Sequence, residues 1–275
     1  MATVSRVTST SLDDARAALR QRQGAGARYD AEGAPHTELA WARTGTAYFA
    51  RKLGELGAAE LDGPSLLPGW NRRALIAHVG YNARALTRLC EWARTGFESP
   101  MYESTQQRDA EIANGATLPD RALVNLFKHS EVHLNVEWRD LPDQAWDAPV
   151  RTAQGRTVPA RETAWMRTRE VWVHTVDLAT GATFRDFPPE LLNRLATDVV
   201  GLWQRRDEQP DLTLEPTDHG EPIVIGAGTA ATVTGRLADL TQWLTGRGTR
   251  GLHTTDNTGT TSNTAQTLPI LPRWI

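Results

Sequence analysis

The sequence contains one cysteine and no long apolar run. Because Cys90 is the only cysteine among 275 residues, no internal disulfide can form. No stretch approaches the roughly 20 apolar residues that a membrane span needs, and the first residues lack the apolar core of a secretory signal. We therefore expect a cytoplasmic protein with no membrane partner. Cys90 lies in a helical pattern, which favours a packing residue over a nucleophile.

The sequence also has no large excess of positive or negative charge. The net charge is −3, and the basic residues are scattered rather than grouped, which argues against nucleic acid as a partner. The sequence has no glycine-rich phosphate loop, no serine elbow and no cysteine-rich metal motif. These absences exclude the most recognisable nucleotide, hydrolase and zinc-finger sites.

The chain is long enough for two domains, and its apolar pattern changes near residue 187. Residues 1–36 are polar and are interpreted as a loosely ordered extension, with a short helix around 13–22. Residues 37–186 predict an antiparallel four-helix bundle. Its long helices are expected at 37–61, 72–95, 119–140 and 161–179, with a shorter helix at 109–114 and a hairpin around Gln154-Gly155.

Residues 187–275 predict a smaller α+β domain, so the fold class is α+β. A helix is expected at 189–206 and another at 236–245, with strands at 212–214, 222–225 and 231–234. Residues 254–267 are nearly all Thr, Asn, Gly, Ser and Gln, a composition typical of a flexible linker to a tail at 269–275. We expect the chain to act as a monomer.

The helix at 161–179 contains the residues that indicate chemistry. Glu170 and His174 stand four apart, so both side chains lie on one helix face and can chelate one metal ion. His78 occupies an apolar stripe, where burying an unpartnered imidazole is unfavourable. Together these residues predict a divalent metal site with an open position. From the residues alone, a surface ion pair and a satisfied core histidine are an equally good interpretation.

Other polar residues are weaker candidates. His129 and His133 also stand four apart, but Glu131 and Glu137 nearby favour a solvated surface. Asp177 follows His174 by three residues, where it either accepts a hydrogen bond from that imidazole or serves the end of the helix.

Several short motifs together indicate a family. They are residues 67–70 (LPGW), 75–83 (LIAHVGYNA), 92–96 (WARTG), 100–102 (PMY), 153–160 (AQGRTVPA), 169–178 (REVWVHTVDL) and 272–275 (PRWI). With these motifs the sequence resembles the mycothiol-dependent maleylpyruvate isomerases of the DinB-like metal-binding helical bundles, over about residues 38–275. The loop motifs at 100–102 and 153–160 favour the isomerase within the superfamily.

The resemblance implies one Zn²⁺ per chain, held by His78, Glu170 and His174, and mycothiol as the thiol cofactor. It implies conversion of maleylpyruvate to fumarylpyruvate, a step of aromatic catabolism through gentisate, by reversible addition of a zinc-activated thiolate. The C-terminal domain then resembles sterol carrier protein type 2 and contributes Arg247 as a catalytic residue. An exposed turn residue is the alternative for Arg247. The Thr-rich insertion departs from the family pattern and puts the docking of the tail in doubt.

Two other functions stay open. The chain is either the isomerase, a mycothiol S-transferase that acts on another electrophile, or a non-catalytic metal-binding protein. A charged wall over an open metal site argues against the last of these.

Overall fold

The computed structural model describes residues 29–256, 261–262 and 268–274. Its α-helices are α1 His36–Gly54, α2 Arg72–Thr95, α3 Thr105–Ala116, α4 Asp120–Asp140, α5 Glu162–Asp177, α6 Pro189–Arg206 and α7 Leu237–Leu244. Its strands are β1 Pro149–Arg151, β2 Thr157–Pro159, β3 Leu212–Pro216, β4 Ile223–Ile225, β5 Ala231–Gly235, β6 His253–Asp256 and β7 Thr261–Ser262. Within the described residues, no helix is long and apolar enough to cross a bilayer.

Helix α2 has clear start and stop signals in its sequence. The side chain of Asn71 accepts a hydrogen bond from the Ala74 amide at 3.0 Å, which caps the first turn. Gly96 takes the left-handed conformation with φ of 77°, and its amide donates to the Trp92 carbonyl. The predicted bounds of this helix are therefore confirmed, and they fix His78 in its second turn.

The helices pack in two pairs. Helix α1 lies against α5, and α2 lies against α4, while α2 and α5 also touch each other across the bundle. Helix α3 covers α2. The direct contact between α2 and α5 is what brings the predicted metal ligands together.

A five-stranded sheet forms the C-terminal part, in the order β4-β3-β5-β6-β7. Strands β3 and β5 are parallel, and the other neighbours are antiparallel. Its apolar residues join the same hydrophobic core as α2 and α5, because Val233 and Trp243 belong to one buried cluster with Leu75 and Val171. The predicted α+β class, with a helical bundle before a smaller α+β part, is confirmed. The division at residue 187 stays a prediction.

Several predicted boundaries are wrong. Helix α1 ends at Gly54 rather than at residue 61, and a short 3₁₀ turn, Ala58–Glu60, follows it. Helix α3 begins at Thr105 rather than at residue 109, because the Ser104 side chain accepts from the Gln107 amide at 3.0 Å and starts the helix earlier. Residues 29–35, assigned to the loose extension, are held against the bundle, since Asp30 pairs with Arg43 at 2.6 Å. The rest of the extension lies outside the described residues.

The predicted linker at 254–267 is wrong in part. Residues 254–256 belong to β6, which pairs with β5, and 261–262 form β7. Threonine is β-branched and favours extended backbone, so a threonine-rich segment readily forms strands. Residues 257–260 and 263–267 lie outside the described residues. The tail docks despite the insertion, because Arg206 donates to the Arg273 carbonyl at 3.1 Å and Trp274 is only 4% exposed.

Close packing between α1 and α5 leads to a stability prediction. A Cβ added at Gly45 would lie 2.5 Å from Trp172 Nε1 and 2.6 Å from Val171 Cγ2. We expect Gly45→Ala to lower the free energy of unfolding by about 1–3 kcal/mol, although alanine is the better helix former. Urea unfolding measures the change.

Gly54 is the matched control, because a Cβ there meets no described atom within 4 Å. Gly54→Ala should leave the free energy of unfolding unchanged or raise it by up to about 1 kcal/mol. Equal stability of the two variants would contradict the proposed close contact between α1 and α5.

Candidate metal centre

The structure brings His78, Glu170 and His174 together. His78 comes from α2, and Glu170 and His174 come from adjacent turns of α5. One ligand atom from each residue can be chosen so that all three lie within 4.8 Å of one another. Among the described residues, this is the cluster of three ligating side chains that could hold a metal ion.

The two imidazoles converge on one carboxylate oxygen. Glu170 Oε2 lies 2.9 Å from His78 Nε2 and 3.2 Å from His174 Nε2. The imidazole planes are nearly perpendicular, at 86°, with ring centroids 5.0 Å apart. Trp70, from the loop motif at 67–70, packs edge-on against His78 with 5.4 Å between the ring centroids. The two nitrogens and one oxygen thus face a common point.

The charges of the three ligands are strongly coupled. Burial lowers the pKa of His78, so this imidazole is neutral and ready to bind a metal. Burial works in the same direction on His174, but hydrogen bonds to Asp177 and Glu170 outweigh it and raise the pKa to about 9. Burial would raise the pKa of Glu170, yet the two imidazoles hold it well below its usual range. These shifts favour an imidazolium at His174 beside a charged Glu170.

Asp177 supports His174 from behind. Its Oδ2 lies 2.9 Å from His174 Nδ1, so the carboxylate fixes the ring with Nε2 toward Glu170. Asp177 itself is fully buried, at 0% exposure. Of the two roles predicted for Asp177, the structure shows the hydrogen bond to the imidazole.

Arg247 reaches the site through Asp177. Its Nη2 donates to Asp177 Oδ2 at 3.0 Å and its Nε to Oδ1 at 3.3 Å, while Nη1 donates to the Thr245 carbonyl at 2.6 Å. The guanidinium also lies over the Trp274 ring, 5.8 Å from its centroid. The side chain is only 15% exposed, so the alternative of an exposed turn residue is wrong. Arg247 does not touch the three ligands directly.

The donor set fits a divalent transition metal. Two imidazole nitrogens and one carboxylate oxygen form a set found in catalytic zinc sites, where the fourth position is left to water or substrate. The carboxylate of Glu170 is the most open of the three, with 22% of its side chain exposed. Nitrogen and oxygen donors bind several divalent metals, so these three residues favour a divalent ion without selecting one metal over the others.

The exposure or burial of each weaker candidate shows its role. His129 and His133 are exposed on α4, and His133 lies 3.6 Å from Glu137, as expected of a solvated face. Cys90 is fully buried, and burial raises the pKa of its thiol to about 12. Its interpretation as a packing residue is confirmed.

Two residues beside the ligands were not identified from the sequence. Arg108 lies on α3 with Nη2 3.4 Å from His78 Nδ1, in the turn that the predicted helix at 109–114 omitted. Burial raises the pKa of the Tyr102 hydroxyl to about 12, and the negative charge of Glu170 adds to this effect. The sequence signal for Tyr102 was the motif at 100–102, but no pattern pointed to Arg108.

Comparisons with known proteins agree with this geometry. The family model described as the mycothiol maleylpyruvate isomerase N-terminal domain matches residues 42–179, a range that includes all three candidate ligands. A crystal structure of a mycothiol-dependent maleylpyruvate isomerase is 43% identical, with a TM-score of 0.80, over 87% of this chain and 96% of the other. The chain belongs to this family.

A second structure gives the same result. A histidine-to-alanine mutant of a mycothiol-dependent maleylpyruvate isomerase is 42% identical, with the same TM-score of 0.80 and the same coverage of 87% and 96%. No curated protein matches the chain. The predicted membership of the mycothiol-dependent maleylpyruvate isomerase family, a family of enzymes, is confirmed.

The raised pKa of His174 predicts that metal binding releases a proton. His174 has a pKa of about 9 in the metal-free protein, and a metal binds only its neutral form. His78 and Glu170 have lowered pKa values and release none at neutral pH. Zinc binding at pH 7.5 should therefore release about one proton. The affinity for zinc should rise about tenfold per pH unit until the pH equals the His174 pKa.

Calorimetry in two buffers of different ionisation enthalpy measures this release. Asp177→Asn should reduce the number of protons released, because the lost carboxylate no longer raises the His174 pKa. The exposed His133→Ala variant should behave as the unmodified protein. Zinc binding at pH 7.5 without proton release would contradict the proposed protonation of His174.

Proposed function

We propose that this chain converts maleylpyruvate to fumarylpyruvate, with mycothiol as the thiol and one zinc ion held by His78, Glu170 and His174. The observation that supports it most is the convergence of these three side chains in a chain so similar to a mycothiol-dependent maleylpyruvate isomerase. The gentisate route, the cytoplasmic location and the monomeric state stay predictions.

The reaction requires rotation about a double bond. A thiolate sulfur adds to one alkene carbon, forming a C–S bond, while the π electrons move onto the conjugated carbonyl oxygen as an enolate. The former double bond is then single and rotates. The enolate electrons re-form the double bond in its trans arrangement and the C–S bond breaks, so the thiol returns unchanged.

The ligand set suits activation of a thiol. A bound zinc ion would supply Lewis acidity that lowers the pKa of a thiol at neutral pH. Two neutral imidazoles and one carboxylate would leave a bound divalent ion with net positive charge, which would favour an anionic sulfur. Asp177 keeps His174 Nε2 directed at the centre through its bond to Nδ1.

Arg247 is proposed to bind a substrate carboxylate while the enolate develops. A guanidinium can hold a carboxylate by two parallel hydrogen bonds, and a dianionic substrate needs cationic partners. Asp177 hydrogen-bonds both Arg247 and His174, and this proximity of Arg247 to His174 supports the role. Because Asp177 already engages Nε and Nη2, the substrate would have to use the remaining hydrogens of the terminal nitrogens.

Replacing Arg247 tests this role. Arg247→Ala should lower kcat/KM by about 10²-fold, because a charged contact in the transition state is lost, with zinc content unchanged. Arg247→Lys retains the charge without the two-bonded geometry and should recover only part of the rate. Steady-state kinetics and metal analysis measure both. Loss of zinc from Arg247→Ala would contradict a role on the substrate and indicate one through Asp177.

The direct test follows maleylpyruvate by absorbance with zinc-loaded protein, with and without mycothiol. Conversion to fumarylpyruvate should occur only with thiol present, and the free thiol concentration should stay constant. His78→Ala should lose zinc and turnover together, whereas the exposed His133→Ala should retain both. Consumption of thiol would favour a mycothiol S-transferase. An active protein without bound metal would refute the proposed site.

A further inference from the structure

Arg108 is a cation beside the candidate metal centre that the proposed reaction does not yet use. It lies in the first turn of α3, and 29% of its side chain is exposed. Its Nη2 lies 3.4 Å from His78 Nδ1, and its Nη1 lies 2.9 Å from Asp109 Oδ1. The Asp109 side chain is 60% exposed, so solvent screens this ion pair and it holds the guanidinium only weakly.

The contact between Arg108 and His78 differs from the support given to His174. Asp177 accepts a hydrogen bond at His174 Nδ1, whereas a guanidinium can only donate. His78 Nε2 faces Glu170 Oε2 at 2.9 Å. A metal ion at this Nε2 would leave the ring proton on Nδ1, so Nδ1 and the Arg108 Nη2 would both be donors. Arg108 therefore cannot orient a metal-bound His78, and its Nη2 then requires another acceptor.

Two other arginines in this region have close acceptors for their donors. Arg247 engages the Asp177 carboxylate through Nε and Nη2. Arg88 donates through Nε and Nη2 to the Met101 carbonyl, at 3.1 and 2.6 Å. The contact from Arg108 Nη2 to His78 is longer than a usual hydrogen bond, so an anion can replace it at little cost. Arg108 is thus the arginine of the three that is best able to bind an anion.

Arg108 borders the exposed side of the metal centre. Burial raises the pKa of the Tyr102 hydroxyl, the Glu170 carboxylate adds to this effect, and the Arg108 guanidinium opposes it. Tyr102 therefore lies close to both of these charges. Glu170 is the most exposed of the three candidate ligands, so Arg108 stands where a substrate can approach.

We propose that Arg108 binds one of the two carboxylates of the substrate. The inference rests on the proposed isomerase function, in which Arg247 is assigned to the other carboxylate. Each imidazole then has a cation nearby, because Arg247 reaches His174 through Asp177 and Arg108 touches His78. This arrangement favours a dianion over an acid with a single carboxylate, so Arg108 contributes to specificity.

Arg108→Gln tests the proposal in zinc-loaded protein with mycothiol. The KM for maleylpyruvate should rise about tenfold with little change in kcat, because the contact is remote from the reacting carbons and is made equally in the ground and transition states. Arg108→Lys retains the charge and should recover part of the loss. Arg121→Gln removes the same charge from an exposed position of α4 and should behave as the unmodified protein.

Calorimetry of fumarylpyruvate binding without mycothiol gives a readout that does not depend on turnover. The affinity should fall about tenfold in Arg108→Gln, with zinc content unchanged. Loss of zinc would instead indicate that Arg108 positions His78, and an unchanged KM and affinity would show that the carboxylate binds elsewhere. Either result overturns the inference while the isomerase function stands. If the unmodified protein does not convert maleylpyruvate, the proposed function fails and the inference fails with it.

Discussion

One oxygen of Glu170 lies between two imidazole nitrogens, 2.9 Å from His78 and 3.2 Å from His174. This contact joins α2 to α5 inside the bundle, where a lone carboxylate would be strongly unfavourable. In the metal-free protein the proton on His174 compensates the charge. A divalent cation held by His78, Glu170 and His174 would take the place of that proton.

The C-terminal part extends this charge balance. Arg247, from the turn after α7, pairs with the buried Asp177, which in turn holds His174. The tail contributes as well, because Trp274 lies under the Arg247 guanidinium. The sheet and the bundle share one hydrophobic core, so the position of Arg247 depends on the packing of both parts. This explains how a residue remote in sequence becomes part of the support for His174, a candidate metal ligand.

The three candidate ligands could be selected from local signals, but their assignment to one metal site came from the family resemblance, because the residues alone fitted a surface ion pair and a core histidine equally well. Glu170 and His174 share a face at helical spacing, and His78 stands in an apolar stripe with a clear N-cap at Asn71. The pairing of Asp177 with Arg247 and the approach of Arg108 to His78 could not be predicted, since they arise from contacts between elements distant in sequence. The strands within 253–262 were missed because a Thr- and Gly-rich composition suits a linker as well as an edge of a sheet.

X-ray absorption at the zinc edge, with and without mycothiol, tests the central claim most directly. Without thiol, the spectrum should show two imidazole nitrogens and light oxygen donors only, as expected for His78, His174 and Glu170. Adding mycothiol should introduce one sulfur neighbour while both imidazoles remain. Sulfur in the thiol-free protein, or an unchanged spectrum after mycothiol is added, would contradict a His₂Glu centre that is open to the thiol.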